Sequence, residues 1–350
     1  MRNARMHHAT SHPSRQGALV AACVVAAAIA CGASAQDEAP RTSWGVPDLQ
    51  GTWDFRTLTP MQRPEEYKDR AFLTPEEAAA FEQKVADGRA NPAERTGQSD
   101  VDVGYNTGFL DLGTELSTSL RTSQIVDPPN GRLPGLTDAA RLRYAEWREV
   151  WSRPPQTAAD RPPSTRCLIG FNAGPPMTSG AYNNIMRLFQ APGYVAILIE
   201  MVNEHRIIPL DGRDHVPDNV RLWKGDSRGR WDGDTLVVET VNFTPHTTHS
   251  GSGMNMHLTE RFTRIDDDTL RYEYTVDDPE MFEAPWSVET DMRLTGDDVY
   301  EYACHEGNYA MRLMLSGARR QEQQGVDDDT WLPSWYKWMP KKEDLAGGEE

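Results

Sequence analysis

The chain has 350 residues, 53 of them acidic and 36 basic, and a formal net charge of −17. So acidic a surface, without a basic stripe to displace counterions, excludes nucleic acid and acidic polyanions as partners. Beyond residue 35 no stretch approaches the roughly 20 consecutive apolar residues that a spanning helix needs, so no membrane span is expected.

The first 35 residues carry Arg2, Arg5 and Arg15 and no acid, then "ALVAACVVAAAIACGASA", ending on Ala33-Ser34-Ala35. This is the layout of a secretory signal peptide with an A-x-A cleavage site, and it places the mature chain in the periplasm or outside the cell. Acylation of Cys31 would instead tether a lipoprotein to a membrane surface. Cleavage removes three positive charges and leaves about −20 on the remainder.

Residues 36–160 are expected to form an N-terminal strand and a helical segment packed on the body. "SWGVPDLQGTWDF" holds Gly51-x-Trp53, which resembles the opening strand of lipocalin-type barrels. In "LTPEEAAAFEQKVADG", Thr74 as N-cap, Pro75 at N1 and Glu77 at N3 form a capping box. Gly88 closes this helix, and Ala78, Phe81 and Val85 share its buried face. Residues 91–110 form a polar loop. A second helix follows from "TDAARLRYAEWREVW", where Ala140, Tyr144, Trp147 and Trp151 recur at helical spacing. The four prolines of "RPPQTAADRPPSTR" make the next segment a linker or strap.

From Cys167 the pattern becomes that of strands, and residues 161–320 are expected to be a β-barrel body. "YVAILIEMV" reads as a strand buried on both faces, and "HRIIPL" returns after a turn. Turn sequences at 233–235, 267–269 and 296–298 each precede an alternating segment, as in a meander. In "TLRYEYTV", Leu270, Tyr272, Tyr274 and Val276 face one way and Thr269, Arg271, Glu273 and Thr275 the other. "TLVVETVNF" is apolar on both sides. The fold class is therefore mainly β, an antiparallel meander barrel or sandwich of calycin-like form with two accessory N-terminal helices. Residues 321–350 form an aromatic and then charged tail.

Two cysteines, Cys167 and Cys304, remain after cleavage, and an oxidising compartment favours a disulfide between them. The rival reading is Cys304 as a nucleophile beside His305, disfavoured because adjacent strand residues face opposite ways. Period-two alternation through "YEYACHEGNY" turns Tyr300, Tyr302, Cys304 and Glu306 inward. The same test turns Glu260 inward in "HLTERF" and leaves Glu200 inside an apolar run. Each buried carboxylate must be protonated, lining a cavity or paired, with Arg166, Arg187, Arg206, Arg228 and Arg261 as possible partners. His246-x-x-His249 with His257 could present three nitrogens to zinc, but the spacing matches no zinc signature and the first two read as solvated loop residues, so no metal and no cofactor are assigned.

Four stretches, "RIIPLDGR", "GDSRGRWDGDTLVVET", "ERFTRIDDDTLRYEYTVDDP" and "YEYACHEGNY", resemble a large group of exported bacterial proteins of unassigned function. The resemblance spans most of residues 165–318 and implies an exported, β-rich body without a catalytic map.

Two functions remain open, both with a small-molecule partner in a barrel cavity. One is a cofactor-independent acid/base lyase or isomerase acting on an oxygenated or aromatic substrate. Glu306, Glu260 and His305 are its candidate catalytic groups, and Tyr182, Asn183, Arg228, Arg261 and Tyr302 contact the substrate. The other is a non-catalytic binding protein for a small hydrophobic or sugar-like ligand. A surface interaction module using the aromatic tail is a third reading.

Overall fold

The computed structural model describes residues 40–90, 111, 113–326 and 331. The segment expected to be a signal peptide, Cys31, the segment 91–110 expected to be a loop, and most of 321–350 lie outside the described residues. Ten strands build one antiparallel sheet: β1 (Gly51–Asp54), β2 (Ile125–Asp127), β3 (Ile185–Ala191), β4 (Tyr194–Ile199), β5 (Glu204–Pro209), β6 (Asp226–Asp232), β7 (Thr235–Val241), β8 (His257–Arg264), β9 (Thr269–Asp277) and β10 (Trp286–Leu294). Their order is β5-β4-β3-β1-β10-β9-β8-β7-β6, with β2 paired to β10. This is a nearly closed nine-strand barrel. Residues 36–160 thus do more than pack on the body, because β1 sits between β3 and β10 in the barrel wall.

The meander comes from local chemistry. Gly233 at φ +59° turns β6 into β7, and 267–269 turns β8 into β9. The third expected hairpin does not form, since no strand follows "GDD" at 296–298. Along β9, Leu270, Tyr272, Tyr274 and Val276 are fully buried while Arg271, Glu273 and Thr275 are half-exposed, as alternation predicts; Thr269 is buried instead. On β7, Leu236, Val237 and Val238 are all buried. β4 departs from its expectation. It alternates, with Val195, Ile197 and Ile199 buried and Ala196 and Leu198 half-covered, because only its inner face meets the core.

Trp53 is fully buried, its Nε1 donates to the Leu49 carbonyl at 3.0 Å, and the Arg264 guanidinium lies 5.5 Å from its ring centroid. That stacking seals one end of the core around β1.

Helix α1 spans Pro75–Ala90 and helix α2 spans Asp138–Ser152. The capping box of α1 forms as expected: the Thr74 N–H donates to Glu77 Oε2 at 2.8 Å and the Glu77 N–H to Thr74 Oγ1 at 3.2 Å. Gly88 does not end the helix, which runs two residues further. Tyr144 on α2 is buried and donates its hydroxyl to the Ser250 carbonyl at 2.8 Å. A third helix, α3 (Ala310–Gln324), closes on left-handed Gly325 and was not expected. Its signal is present in Met311, Met314, Leu315 and Ala318, spaced for one helical face.

Candidate functional site

Barrel register gathers one set of strand ends. Asp54 pairs with Ile185, Met186 with Ile199, and Ile199 with Glu204, so the last residue of β1, the first of β3, the last of β4 and the first of β5 lie together. The segments leaving those ends are 179–184 and 200–203. A third segment, 297–304, crosses over them after β10 and is tied down where the Tyr300 N–H donates to Glu200 Oε1 at 3.3 Å.

The disulfide Cys167–Cys304 fastens this crossing segment to the 163–171 strap, as the cysteine pairing predicted. It excludes Cys304 as a thiol nucleophile in this structure. Two asparagines hold the 179–184 segment. Asn172 Nδ2 donates to Asn184 Oδ1 at 3.0 Å and to the Tyr182 carbonyl at 3.0 Å, while Asn184 Nδ2 reaches the carbonyls of Asp111 and Gly180 at 3.1 and 3.0 Å. Both residues are 1% exposed and line neither cleft, so these amides brace the segment through backbone and each other.

Against this scaffold stand two adjoining clefts. The first, of about 240 Å³, is lined chiefly by Trp151, Phe171, Tyr182, Met201, Tyr302 and Trp331. The second, of about 600 Å³, is lined by Tyr182, Asn183, Glu200, Asp297, Asp298 and Tyr302, with Arg56, Asp111, Ile185 and Tyr300. Tyr182 and Tyr302 belong to both. Their rings stack with centroids 6.4 Å apart and planes 10° off parallel, and Phe171 meets Tyr182 edge-on at 5.3 Å. Burial, and then the neighbouring Tyr302, push the Tyr182 phenol up to about 12, so it stays neutral and able to donate at physiological pH. Val202, also at the first cleft, is held at φ +52°, a conformation disfavoured for a β-branched residue.

The structure brings together three of the residues expected to contact a substrate, Tyr182, Asn183 and Tyr302. It does not bring the other two. Arg228 on β6 is engaged by Asp226 Oδ1 at 2.6 Å and the Ser227 carbonyl at 2.8 Å, and Arg261 on β8 by Asp232 at 3.3 Å; neither lines a cleft.

The inward-carboxylate expectation divides in the same way. Glu260 is fully buried inside the barrel, as alternation predicts, but in a closed network. Arg206 donates from Nη1 to Glu260 Oε2 at 2.5 Å and from Nη2 to Oε1 at 3.0 Å, and the Tyr272 hydroxyl donates to Oε1 at 2.8 Å while accepting the Met177 N–H at 3.0 Å. Burial alone would lower the Arg206 pKa, but the charge and hydrogen bonds of Glu260 outweigh it and the net shift is upward. Burial likewise drives the Tyr272 phenol well above its usual value. Both oxygens of Glu260 are therefore occupied by donors that do not release them.

Glu306 and His305 are corrected outright as inward groups. Residues 300–309 form no strand but an irregular approach to α3, and both side chains are exposed. The period-two pattern here belongs to a loop held by its disulfide, and neither residue lines either cleft. Glu200, by contrast, is buried at 6% exposure and does line the second cleft. His246, exposed, and His257, also exposed, remain apart from His249. Among the described residues no three His, Cys, Asp or Glu side chains group as a metal set.

Phe171, Met201 and Asn172 carry no signal in the sequence, because they come from irregular segments and a 3-10 turn where no periodicity marks them. Trp151 and Trp331 are visible there only as part of a helical core stripe and of an aromatic tail.

No family model matches the chain, and no curated protein is significantly similar to it. Among solved structures, a crystal structure of a "secretary abundant heat soluble (SAHS) protein" from Ramazzottius varieornatus is 13% identical, covering 32% of this chain and 70% of that one with a TM-score of 0.22. At that score the two chains share no overall superposition.

Proposed function

We propose that the protein is an exported small-molecule binding protein whose ligand occupies the paired clefts divided by Tyr182 and Tyr302. The observation that carries this reading is the stacked tyrosine pair shared by two adjoining hollows of about 240 and 600 Å³. Hollows of that order, walled by aromatic side chains with a few polar groups, are the usual form of a small-ligand site of about 300–1,000 Å³. The strands and disulfide fix the walls before any ligand arrives, which lowers the ordering cost of binding.

Binding is favoured over acid/base turnover because the fully buried Glu260 is locked to Arg206 and Tyr272, and the exposed Glu306 and His305 have no enclosed substrate space. Export fits the disulfide, which persists in an oxidising compartment, and no helix among the described residues is long and apolar enough to cross a membrane.

The test is fluorescence titration of the mature chain with the neutral apolar probe N-phenyl-1-naphthylamine, followed by mass spectrometry of the recovered probe. Saturable enhancement, weakened about tenfold or more by Tyr182→Ala and by Tyr302→Ala with the fold retained, and an unchanged probe mass are expected. Non-saturable enhancement, or equal affinity in both variants, would overturn the proposal.

A further inference from the structure

The two clefts differ in charge, and the difference points to a ligand class. Four carboxylates, those of Asp111, Glu200, Asp297 and Asp298, face the larger cleft with one guanidinium, Arg56. Arg56 is already committed, with Nε donating to Asp54 Oδ2 at 2.7 Å and Nη1 bonded to Asp111. Among the described residues no Lys, Arg or His forms an ion pair with Glu200, Asp297 or Asp298.

Glu200 is the informative member. It is 6% exposed, yet among the described residues its carboxylate accepts one hydrogen bond, from the Tyr300 N–H at 3.3 Å. An ionised carboxylate offers about four acceptor positions, and a buried one is ordinarily paired. Its unused capacity borders a cleft into which the faces or edges of Tyr182, Tyr300 and Tyr302 are also presented. Aromatic rings beside carboxylates suit a large, weakly hydrated organic cation. A small hard metal ion needs convergent oxygen ligands, and the described residues contain no such grouping of three.

Resting on the two-cleft binding reading, we infer that the ligand carries an ammonium or quaternary ammonium head in the cleft of Glu200, Asp297 and Asp298. Its apolar remainder lies across the Tyr182–Tyr302 wall in the smaller, aromatic cleft, where Arg161 is the one charged residue of the lining and its guanidinium is engaged by the carbonyls of Val150, Arg153 and Asp160. The net charge of −17 adds a long-range field that draws cations towards the protein.

Three probes sharing one skeleton test this by calorimetry at neutral pH and low salt: phenethylamine, 2-phenylethanol and phenylacetate. The amine is expected to bind about tenfold or more tightly than the alcohol, the acid weakest, and added salt to narrow the gap. Glu200→Gln should bring amine and alcohol within about twofold of each other while leaving alcohol affinity unchanged. Asp297→Asn/Asp298→Asn, at exposed positions, should narrow the gap even if the Glu200 variant fails to fold. Equal binding of amine and alcohol, both lost in Tyr302→Ala, would overturn the cation inference and leave the binding site standing. A full amine preference surviving both carboxylate variants would overturn its placement. Failure of all three probes to bind would overturn both readings.

Discussion

Glu260 shows how a single residue can be legible in position while its role stays open between a cavity-lining acid and a buried ion pair. Alternation around Leu258 and Phe262 is enough to turn it inward, and it is fully buried. What the sequence does not specify is which of five candidate arginines meets it; inside the barrel it is Arg206, 54 residues away in the chain. Neutralising one member of such a pair leaves the other charge buried without compensation, at a cost of about 3–5 kcal/mol, whereas replacing both by apolar groups is often neutral or better. Glu260→Gln is therefore expected to lower stability by about that amount in urea titration, with Arg206→Met/Glu260→Leu recovering most of it. A catalytic Glu260 would give the reverse: a fully stable Glu260→Gln. His249 offers a second residue-scale test. Its ring stacks on Trp286 with centroids 5.7 Å apart and meets Tyr274 edge-on, and burial lowers its pKa from 6.5 to about 4. The folded state keeps this imidazole neutral while the unfolded chain takes a proton below pH 6.5. Its stability contribution is complete above pH 6.5 and is lost as pH falls to about 4, to the order of 3 kcal/mol. Chemical denaturation between pH 7.5 and 4 should show that slope, and His249→Phe should flatten it relative to the parent.

At the level of elements, what could be read depended on periodicity. β9 was legible because its alternation is nearly clean, and α1 because Thr74, Pro75 and Glu77 satisfy the first-turn donors in a known geometry. The segment 300–309 alternates by coincidence, and no ladder partner exists to make a strand of it. It is held instead by the disulfide to Cys167, across a separation of 137 residues. In the chain-entropy account, closing so long a loop stabilises by about 5 kcal/mol, though measured effects are often 2–5 kcal/mol. Both clefts draw walls from this segment, so Cys167→Ser/Cys304→Ser should weaken probe binding by more than its loss of global stability accounts for. The measurement is binding well below the melting temperature, where circular dichroism still reports the full sheet. Parental affinity in that variant would show that the strand ends, and not the crossing segment, shape the site.

For the molecule as a whole, the sequence was sufficient for an antiparallel meander, barrel or sandwich, but silent on how it closes. The β-sheet path starts at β5 and ends at β6, and no hydrogen-bonded ladder joins those two strands. Closure is made by side chains. Lys224, just before β6, donates to the His205 carbonyl at 2.6 Å and pairs with Glu204 at 2.5 Å, while Arg206 reaches from β5 to Glu260 on β8. Between these ties, Gly229 on β6 lets Leu210 and Ile208 lie against its bare backbone; a Cβ there would stand 2.5 Å from Leu210 Cδ2 and 3.0 Å from Ile208 Cγ2. An unladdered seam exposes edge groups that a closed barrel would pair, so its amides should exchange before those of β8 and β9, which are flanked on both sides. Gly229→Ala asks the end of the Leu210 side chain and the Ile208 γ-methyl to give way, and should cost less than a branched residue. Gly229→Val presents branched methyl groups to both neighbours and should destabilise by about 1–3 kcal/mol, the range for overpacking. Hydrogen exchange should place the added openings in 204–209 and 226–232, leaving 269–277 protected. Uniform acceleration across all strands would mean that the seam is no weaker than the rest of the wall, and that the side-chain contacts close the barrel as firmly as a ladder does.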